Sequence, residues 1–327
     1  MPKKAQKILI TGGAGFIGSM VVPALVERGH DVTVIDRLDF GNNIESVMNR
    51  IKFIHADAFD ISPKELENVD VLIHFAGLSN DPMADFRPRD NFIQNTGLTA
   101  HLVHLAKKYN VPRFVFASTQ SVYGISTDED TKESAELKAS FPYGLSKIQG
   151  EMIINSAASD TFRPVILRQS TICGWAPRVR LDLVINTMTK SGVIHKKIVV
   201  GNADVWRPLI HIRDLVPVYV TVVENPEISG TFNVSTGNYT LPQMAAEVQS
   251  ALKEKGMDVA IEIHNNPDPR SYRMNADLAV KHLGLKKKFD IKDAVFELLE
   301  KLGDSSSKEW HNKSYVNFEI YKQKFLS

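Results

Sequence analysis

Tyr143 and Lys147 stand four positions apart in Pro-Tyr-Gly-Leu-Ser-Lys. On a helix that spacing puts both side chains on one face. An ammonium beside a phenol favours the phenolate and lowers its pKa from about 10. Such a tyrosine can take a proton from an alcohol or return one to a ketone. Tyrosine and lysine meet at this spacing by chance in most chains of this size, so the pair alone carries little weight. It gains weight from Ser118-Thr119-Gln-Ser-Val-Tyr-Gly124, about two dozen residues upstream, where a further hydroxyl can complete a proton network.

A second constellation reads Gly12-Gly-Ala-Gly15-Phe16-Ile17-Gly18. It follows a short apolar run and opens a helical stretch. Gly12 suits a tight turn, Gly15 a close approach of backbone to pyrophosphate, and Gly18 a close contact of helix with sheet. The helix N-terminus then meets the phosphates with unpaired N–H groups and the positive end of its dipole. Glycines near a helix start are often only turns; Asp36, about 20 residues on at the end of the next strand, separates the two readings. A carboxylate there holds the adenosine ribose hydroxyls and repels a 2′-phosphate. NAD is therefore expected over NADP, with the neighbouring Arg37 opposing slightly. Asp57-Ala58 and Phe75-Ala76-Gly77 end the third and fourth strands and are expected at the same carboxyl edge. Taken singly, each is more often a plain strand end.

The elements that must hold these groups alternate. Apolar runs at 8–10, 32–35, 53–54, 69–75, 114–118 and 165–167 read as strands, and 16–28, 92–109 and 143–158 as helices. Leu98, Leu102 and Leu105 fall on one face of the second helix. Continuously apolar strands alternating with helices predict an α/β, doubly wound parallel sheet covered on both faces. Beyond about residue 170 strands become sparser, with helices expected at 241–255 and 291–302. The tail from Asp304 carries Ser305-Ser306-Ser307; packing orders it, or it is loose.

Bulk composition narrows the classes. The 327 residues are 43% hydrophobic and 24% charged, enough for a sizeable core. The formal net charge of +1, from 39 basic and 38 acidic residues, argues against a nucleic-acid or membrane-surface binder. An anionic ligand must be held locally. A single cysteine, Cys173, excludes an internal disulfide framework and a cysteine-rich metal site, so no metal is expected. It fits a reducing cytoplasm. The apolar run before Gly12 is too short for a signal peptide, and no stretch of about 18 apolar residues follows.

In combination, TGGAGFIG, Asp36, DAFD, HFAG, Asn95, STQSVYG, PYGLSK and RPLIHIRD resemble the extended short-chain dehydrogenase/reductases. The closest resemblance within that group is to the NAD-dependent nucleotide-sugar epimerases and dehydratases related to UDP-galactose 4-epimerase. The resemblance spans residues 7 to about 300. It implies a Rossmann domain, here about 1–170, and a smaller C-terminal α/β sugar-nucleotide domain, 171–327, with some segments returning to the first. Tyr143 becomes the expected base and Thr119 its partner hydroxyl, with Ser118 the nearby alternative. Lys147 would also hold the nicotinamide ribose. Asn95 corresponds to a helix asparagine that supports the active site and is grouped with the cofactor contacts. Gln169 and Ser170 would lie near the carboxamide. On the substrate side the resemblance assigns Arg207 and Arg270 to the sugar-nucleotide diphosphate, where the guanidinium fork makes paired charge-assisted bonds. Asn186 matches a sugar or phosphate contact. Of Arg178 and Arg180, one is expected on the ligand and at least one in solvent. His211 and Asp214 order their loop. A homodimer through the helices near 92–109 and 143–158 is also implied.

The reaction is read from the neighbours of Thr119. Similar 4,6-dehydratases carry Asp-Glu directly after this threonine, and the related decarboxylases a glutamate at the second position. Here Gln120 and Ser121 stand there, and neutral groups cannot supply that acid and base. An epimerase acting through a 4-keto sugar is expected. A C4 oxidoreductase follows as the alternative, then a 4,6-dehydratase, and more distantly a non-enzymatic NAD-binding sensor. Two positions depart from the epimerase pattern: Thr171 where an asparagine is usual, and Ser79 where a lysine is usual. Both are expected at the sugar, and a less common sugar nucleotide than UDP-galactose fits them.

Overall fold

The computed structural model describes residues 4–126, 128–264 and 271–325. Six strands follow the expected order: β1 (Lys7–Thr11), β2 (Asp31–Asp36), β3 (Lys52–His55), β4 (Val71–His74), β5 (Arg113–Thr119) and β6 (Arg163–Gln169). The chain beyond residue 170 is richer in strands than its sequence pattern indicates. It adds β7 (Thr171–Cys173), β8 (Lys197–Val200), β9 (Trp206–His211), β10 (Gly230–Val234), β11 (Gly237–Thr240) and β12 (Ala260–Ile263). These strands are short, and in β8, β11 and β12 only half or none of the residues are buried, so continuous apolar runs do not mark them.

The main sheet has seven parallel strands in the order β10-β6-β5-β4-β1-β2-β3. This is a Rossmann-type α/β sheet, and β10 brings a late segment back to its edge. The smaller sheets are β11-β9-β7 and β12-β8.

The helices are α1 (Gly18–Glu27), α2 (Pro63–Leu66), α3 (Asp81–Phe86), α4 (Pro88–Asn91), α5 (Leu98–Lys108) and α6 (Pro142–Ala157). The later ones are α7 (Val184–His195), α8 (Ile212–Glu224), α9 (Leu241–Glu254), α10 (Asp277–Leu283), α11 (Ile291–Leu302) and α12 (Asn317–Gln323). Successive residues of the central strands feed opposite cores. Ile8, Ile10, Ile73, Val115 and Val165 pack with Val22 and Leu25 of α1 and Val218 and Tyr219 of α8. Leu9, Leu72, Phe114, Phe116 and Ile166 pack with Leu98, Leu102 and Ala106 of α5 and Ile154 of α6. That is why these strands read as unbroken apolar runs. A third core joins α7, α9 and α11 around Ile185, Val248, Leu252, Leu298 and Trp310.

Two departures bear on the site. The stretch expected as one helix from Phe92 begins with a π turn, Phe92–Gly97, centred on Asn95. The tail is ordered: Trp310 is fully buried with its indole N–H on the Gly303 carbonyl, and α12 follows. Among the described residues no helix is long and apolar enough to cross a membrane.

Candidate active site

In the main sheet the strand order reverses between β1 and β4, which opens a crevice at the carboxyl ends. A cavity of about 840 Å³ occupies it. Its floor is the turn from Gly12 to Gly18. Gly12 has φ +74°, and a Cβ there would stand 2.5 Å from the Ala76 nitrogen. A Cβ on Gly18 would collide with the Gly13 carbonyl, so its role is compactness within the turn rather than contact with the sheet. The floor therefore holds only because these positions lack side chains.

One end of the cavity is lined by Phe16, Ile17, Asp36, Arg37, Asp57, Ala58, Phe75, Ala76 and Gly77. Asp36 accepts the Ala14 N–H at 2.9 Å and the Leu38 N–H at 2.8 Å, while burial pushes its carboxyl pKa up. Arg37 pairs with Asp57 at 3.1 Å and Asp39 at 2.9 Å. Two carboxylates thus already engage the arginine next to Asp36, which would otherwise favour a 2′-phosphate.

At the other end Tyr143 and Lys147 lie one turn apart on α6, as their spacing requires. Tyr143 is hydrogen-bonded to the Thr119 side chain. Lys147 is buried, with Nζ donating to the Ala117 carbonyl at 2.9 Å and lying 4.6 Å from the Phe116 ring centre. Here the electrostatics correct the simple expectation. Burial, helped by the Asp81 charge, pushes the Tyr143 phenol up to about 12. Burial also pulls the Lys147 ammonium down to about 8, against the pull of Glu151. Desolvation outweighs what the Thr119 hydrogen bond and the Arg180 charge do for the phenolate, so the phenol's pKa is raised rather than lowered.

Ser118 does not point at this group. Its hydroxyl donates to Glu151, behind β5. Thr119 turns into the cavity, donating to Ser121 Oγ at 3.3 Å and accepting the Ser121 N–H at 3.2 Å. Gln120 is clipped to Thr171 at both ends of its amide: Nε2 donates to the Thr171 hydroxyl at 2.7 Å, and Oε1 accepts the Thr171 N–H at 3.1 Å. Gln169 and Ser170 also line the cavity. Gln169 Oε1 and Ser170 Oγ are buried with no hydrogen-bond partner among the described residues. Buried polar atoms are normally satisfied, so two orphans on residues that line one cavity fit a ligand rich in polar groups.

The sugar-nucleotide candidates fall into three groups. Ser79, Thr171, Arg178 and Arg207 line the cavity. Arg207 is buried, donates to the Trp206 carbonyl at 3.0 Å and lies 5.4 Å from the Tyr272 ring centre. Neither Arg178 nor Arg180 is in solvent, contrary to the expectation for at least one. Both are buried, and Arg180 grips Asp182 with two bonds at 3.0 and 2.9 Å. Asn186 and Asn95 are off the cavity wall. Asn186 is fully buried and its amide ties Gly174 to Arg180, which shapes the loop that carries the arginines. Asn95 bonds Leu78 at its N–H and its carbonyl, and also Asn91 and Ser146. It fixes the strand end beside the cofactor region and leaves no donor for a ligand. Arg270 lies outside the described residues. His211 accepts the Arg213 N–H and Asp214 accepts those of Lys288 and Phe289, as loop-ordering groups should.

Several lining residues escaped the sequence reading: Asp81, Tyr272, Asn317, Phe318, Tyr321 and Lys324. For the last group a signal existed. Phe318, Tyr321 and Phe325 recur at spacings of three and four, one aromatic face of a short helix.

A phosphate-sized glycine turn under an acid-ended β2, facing a Tyr–Thr–Lys group across one cavity, is the layout of an extended short-chain dehydrogenase/reductase. Residues 8–235 match the NAD dependent epimerase/dehydratase family, and the chain belongs to it. Its cofactor is NAD, and the residues lining the cavity fit that group. A dTDP-D-glucose 4,6-dehydratase of Mus musculus is 27% identical, over 96% of this chain and 91% of the relative. A putative UDP-glucose 4-epimerase of Methanocaldococcus jannaschii is 28% identical, over 88% and 95%. Among solved structures, a UDP-N-acetylglucosamine 4-epimerase of Methanobrevibacter ruminantium superimposes with a TM-score of 0.80 at 22% identity, covering 91% of this chain and 99% of that one.

Proposed function

We propose that this chain is an NAD-dependent nucleotide-sugar epimerase that works at C4 through a 4-keto sugar. The observation that carries this reading is the clip between Gln120 and Thr171. At the position where the dehydratase pattern needs a carboxylic acid, a neutral amide is present and both its ends are committed. Tyr143 takes the proton of the C4 hydroxyl and later returns it, with Thr119 holding the oxygen in line. Lys147 lies deep enough to hold the nicotinamide ribose and to offset charge on the phenolate. Bound NAD supplies the hydride acceptor and donor at C4. Arg207, with Arg270, is placed in this reading on the diphosphate of the nucleotide sugar, and Ser79 and Thr171 on the sugar.

One observation favours a dehydratase as the second reading. Asp81 lines the cavity beside Tyr143, and a small adjoining pocket beside Ser121 and Tyr272. In that reading the Asp81 carboxyl takes the place of the missing acid.

Proton NMR with a panel of nucleotide sugars in deuterated water separates the readings. A new stereoisomer free of deuterium is the expected product. A 4-keto-6-deoxy sugar with deuterium at C5, lost on Asp81→Asn, would replace the epimerase by the dehydratase. A 4-keto sugar that accumulates with C6 intact would mean a C4 oxidoreductase.

The active form in this reading is a homodimer. Leu145 and Met152 on α6 are 37% and 65% exposed, and Ile93 beside them is 43% exposed. Leu145 and Met152, seven residues apart, share a face of α6, and exposed apolar side chains on a helix face suit burial against a second copy. Met152→Glu is expected to give a monomer by light scattering. A monomeric wild type at micromolar concentration would remove the dimer from the proposal.

A further inference from the structure

The cavity roof comes from residues 316–325. Strand order puts β1 between β4 and β2. The Gly12–Gly18 turn therefore lies between the loops that follow β4 and β2. The C-terminal segment is tied to both loops. On the β4 side, Asn317 Nδ2 donates to Ser79 Oγ at 2.9 Å, and the Tyr321 hydroxyl donates to Asp90 at 3.2 Å. Phe318, Tyr321 and Phe325 pack around Phe86, and Arg87 lies 3.9 Å from the Phe325 ring centre. On the β2 side, Lys324 pairs with Asp39. A segment anchored at both places must pass over the turn between them.

Beneath it lies Arg178. Its N–H reaches Ser19 Oγ in the first turn of α1 at 3.4 Å, and its guanidinium lies 4.9 Å from the ring centre of Phe40. It is 3% exposed, yet among the described residues its guanidinium donates to the Val179 carbonyl and to Asn317 Oδ1 at 2.7 Å, and to no carboxylate. Both acceptors are neutral. The nearby carboxylate, Asp182, is taken up by Arg180. A buried cation with no carboxylate is costly unless an anion completes it. Its place beside the N-terminus of α1 is where a dinucleotide puts its pyrophosphate.

We propose that residues 315–325 form a strap over the pyrophosphate of NAD, that Asn317 positions Arg178 on that diphosphate, and that NAD leaves only when the strap lifts. This moves Arg178 from the sugar nucleotide to the cofactor. It rests on NAD as cofactor and not on the epimerase reading.

The test follows release of radiolabelled NAD from the full-length protein, chased with unlabelled NAD. Asn317→Ala and Arg178→Ala are each expected to speed release about tenfold or more, since each removes a bond to a charged group. Lys324→Ala, at the exposed end of the strap, is expected to speed release without loss of the folded state by circular dichroism. It keeps the test open if the buried variants fail to fold. Wild-type release rates in Lys324→Ala and in a folded Asn317→Ala would overturn the strap. Unchanged NAD release in Arg178→Ala with a raised KM for the nucleotide sugar would return that guanidinium to the substrate diphosphate and overturn its assignment to NAD.

Discussion

Tyr143→Phe is expected to lower kcat by about 10²–10⁴-fold while the protein keeps its full complement of NAD, because a positioned acid–base group contributes on that order. The phenol is held near 12 by burial and by the Asp81 charge, and the one bond that favours its anion comes from Thr119. Removing the hydroxyl therefore removes the proton route and little else: the ring stays packed on α6. The readout is single-turnover reduction of bound NAD on addition of nucleotide sugar, followed at 340 nm. In the variant that absorbance change should be lost or slowed by the same factor as turnover. A variant that turns over at the wild-type rate would move the acid–base role elsewhere, with Asp81 the first residue to examine. Thr119→Val should give a smaller loss than Tyr143→Phe, because it removes only the partner that holds the phenol in line.

Periodicity exposed the core of the fold and hid its margins, for a physical reason. β1, β4, β5 and β6 are covered on both faces, so burial writes them as apolar runs that any reader of the sequence can find. β8, β11 and β12 are covered on one face or neither and leave no such trace. The turn at Gly12 was legible because only glycine fits there. The Tyr143–Lys147 pair was legible as a spacing, but its electrostatics were not, because desolvation depends on what surrounds a group rather than on its neighbours in sequence. The same limit applies to the asparagines. Nothing in the sequence says that Asn95 spends its amide on Leu78, Asn91 and Ser146, or that Asn186 spends its own on Gly174 and Arg180. Arg178 and Arg180 stand two residues apart in the same loop. One is matched by a carboxylate two residues on, and the other, among the described residues, meets two neutral oxygens and the Phe40 ring, which follows from the fold and not from charge pattern.

The largest effect on stability is expected behind the site, at Arg168. Its guanidinium makes three bonds to the Glu151 carboxylate, at 2.7 to 3.1 Å, and two more to the Tyr123 hydroxyl and the Glu133 carbonyl, both at 2.9 Å. Arg168 is 5% exposed and Glu151 1%. The burial of Arg168 disfavours its charge, but Glu151 outweighs that and holds its pKa above the usual arginine value. Neutralising one partner leaves the other buried alone, which costs about 3–5 kcal/mol. Arg168→Met should therefore be destabilised by about that much in urea unfolding, with the slope unchanged. The double variant Arg168→Met, Glu151→Leu should recover most of the loss, since two apolar groups of similar volume strand no charge. The pair also has a functional reach. Glu151 is one turn beyond Lys147 on α6 and is the charge that holds the lysine's pKa up against burial. In the double variant stability returns, but that support does not. Lys147 should then lose its proton at a lower pH than the value near 8 set by burial and Glu151 together. The alkaline limb of the pH–rate profile should move down with it. A double variant that regains stability with an unmoved profile would make the ion pair purely structural.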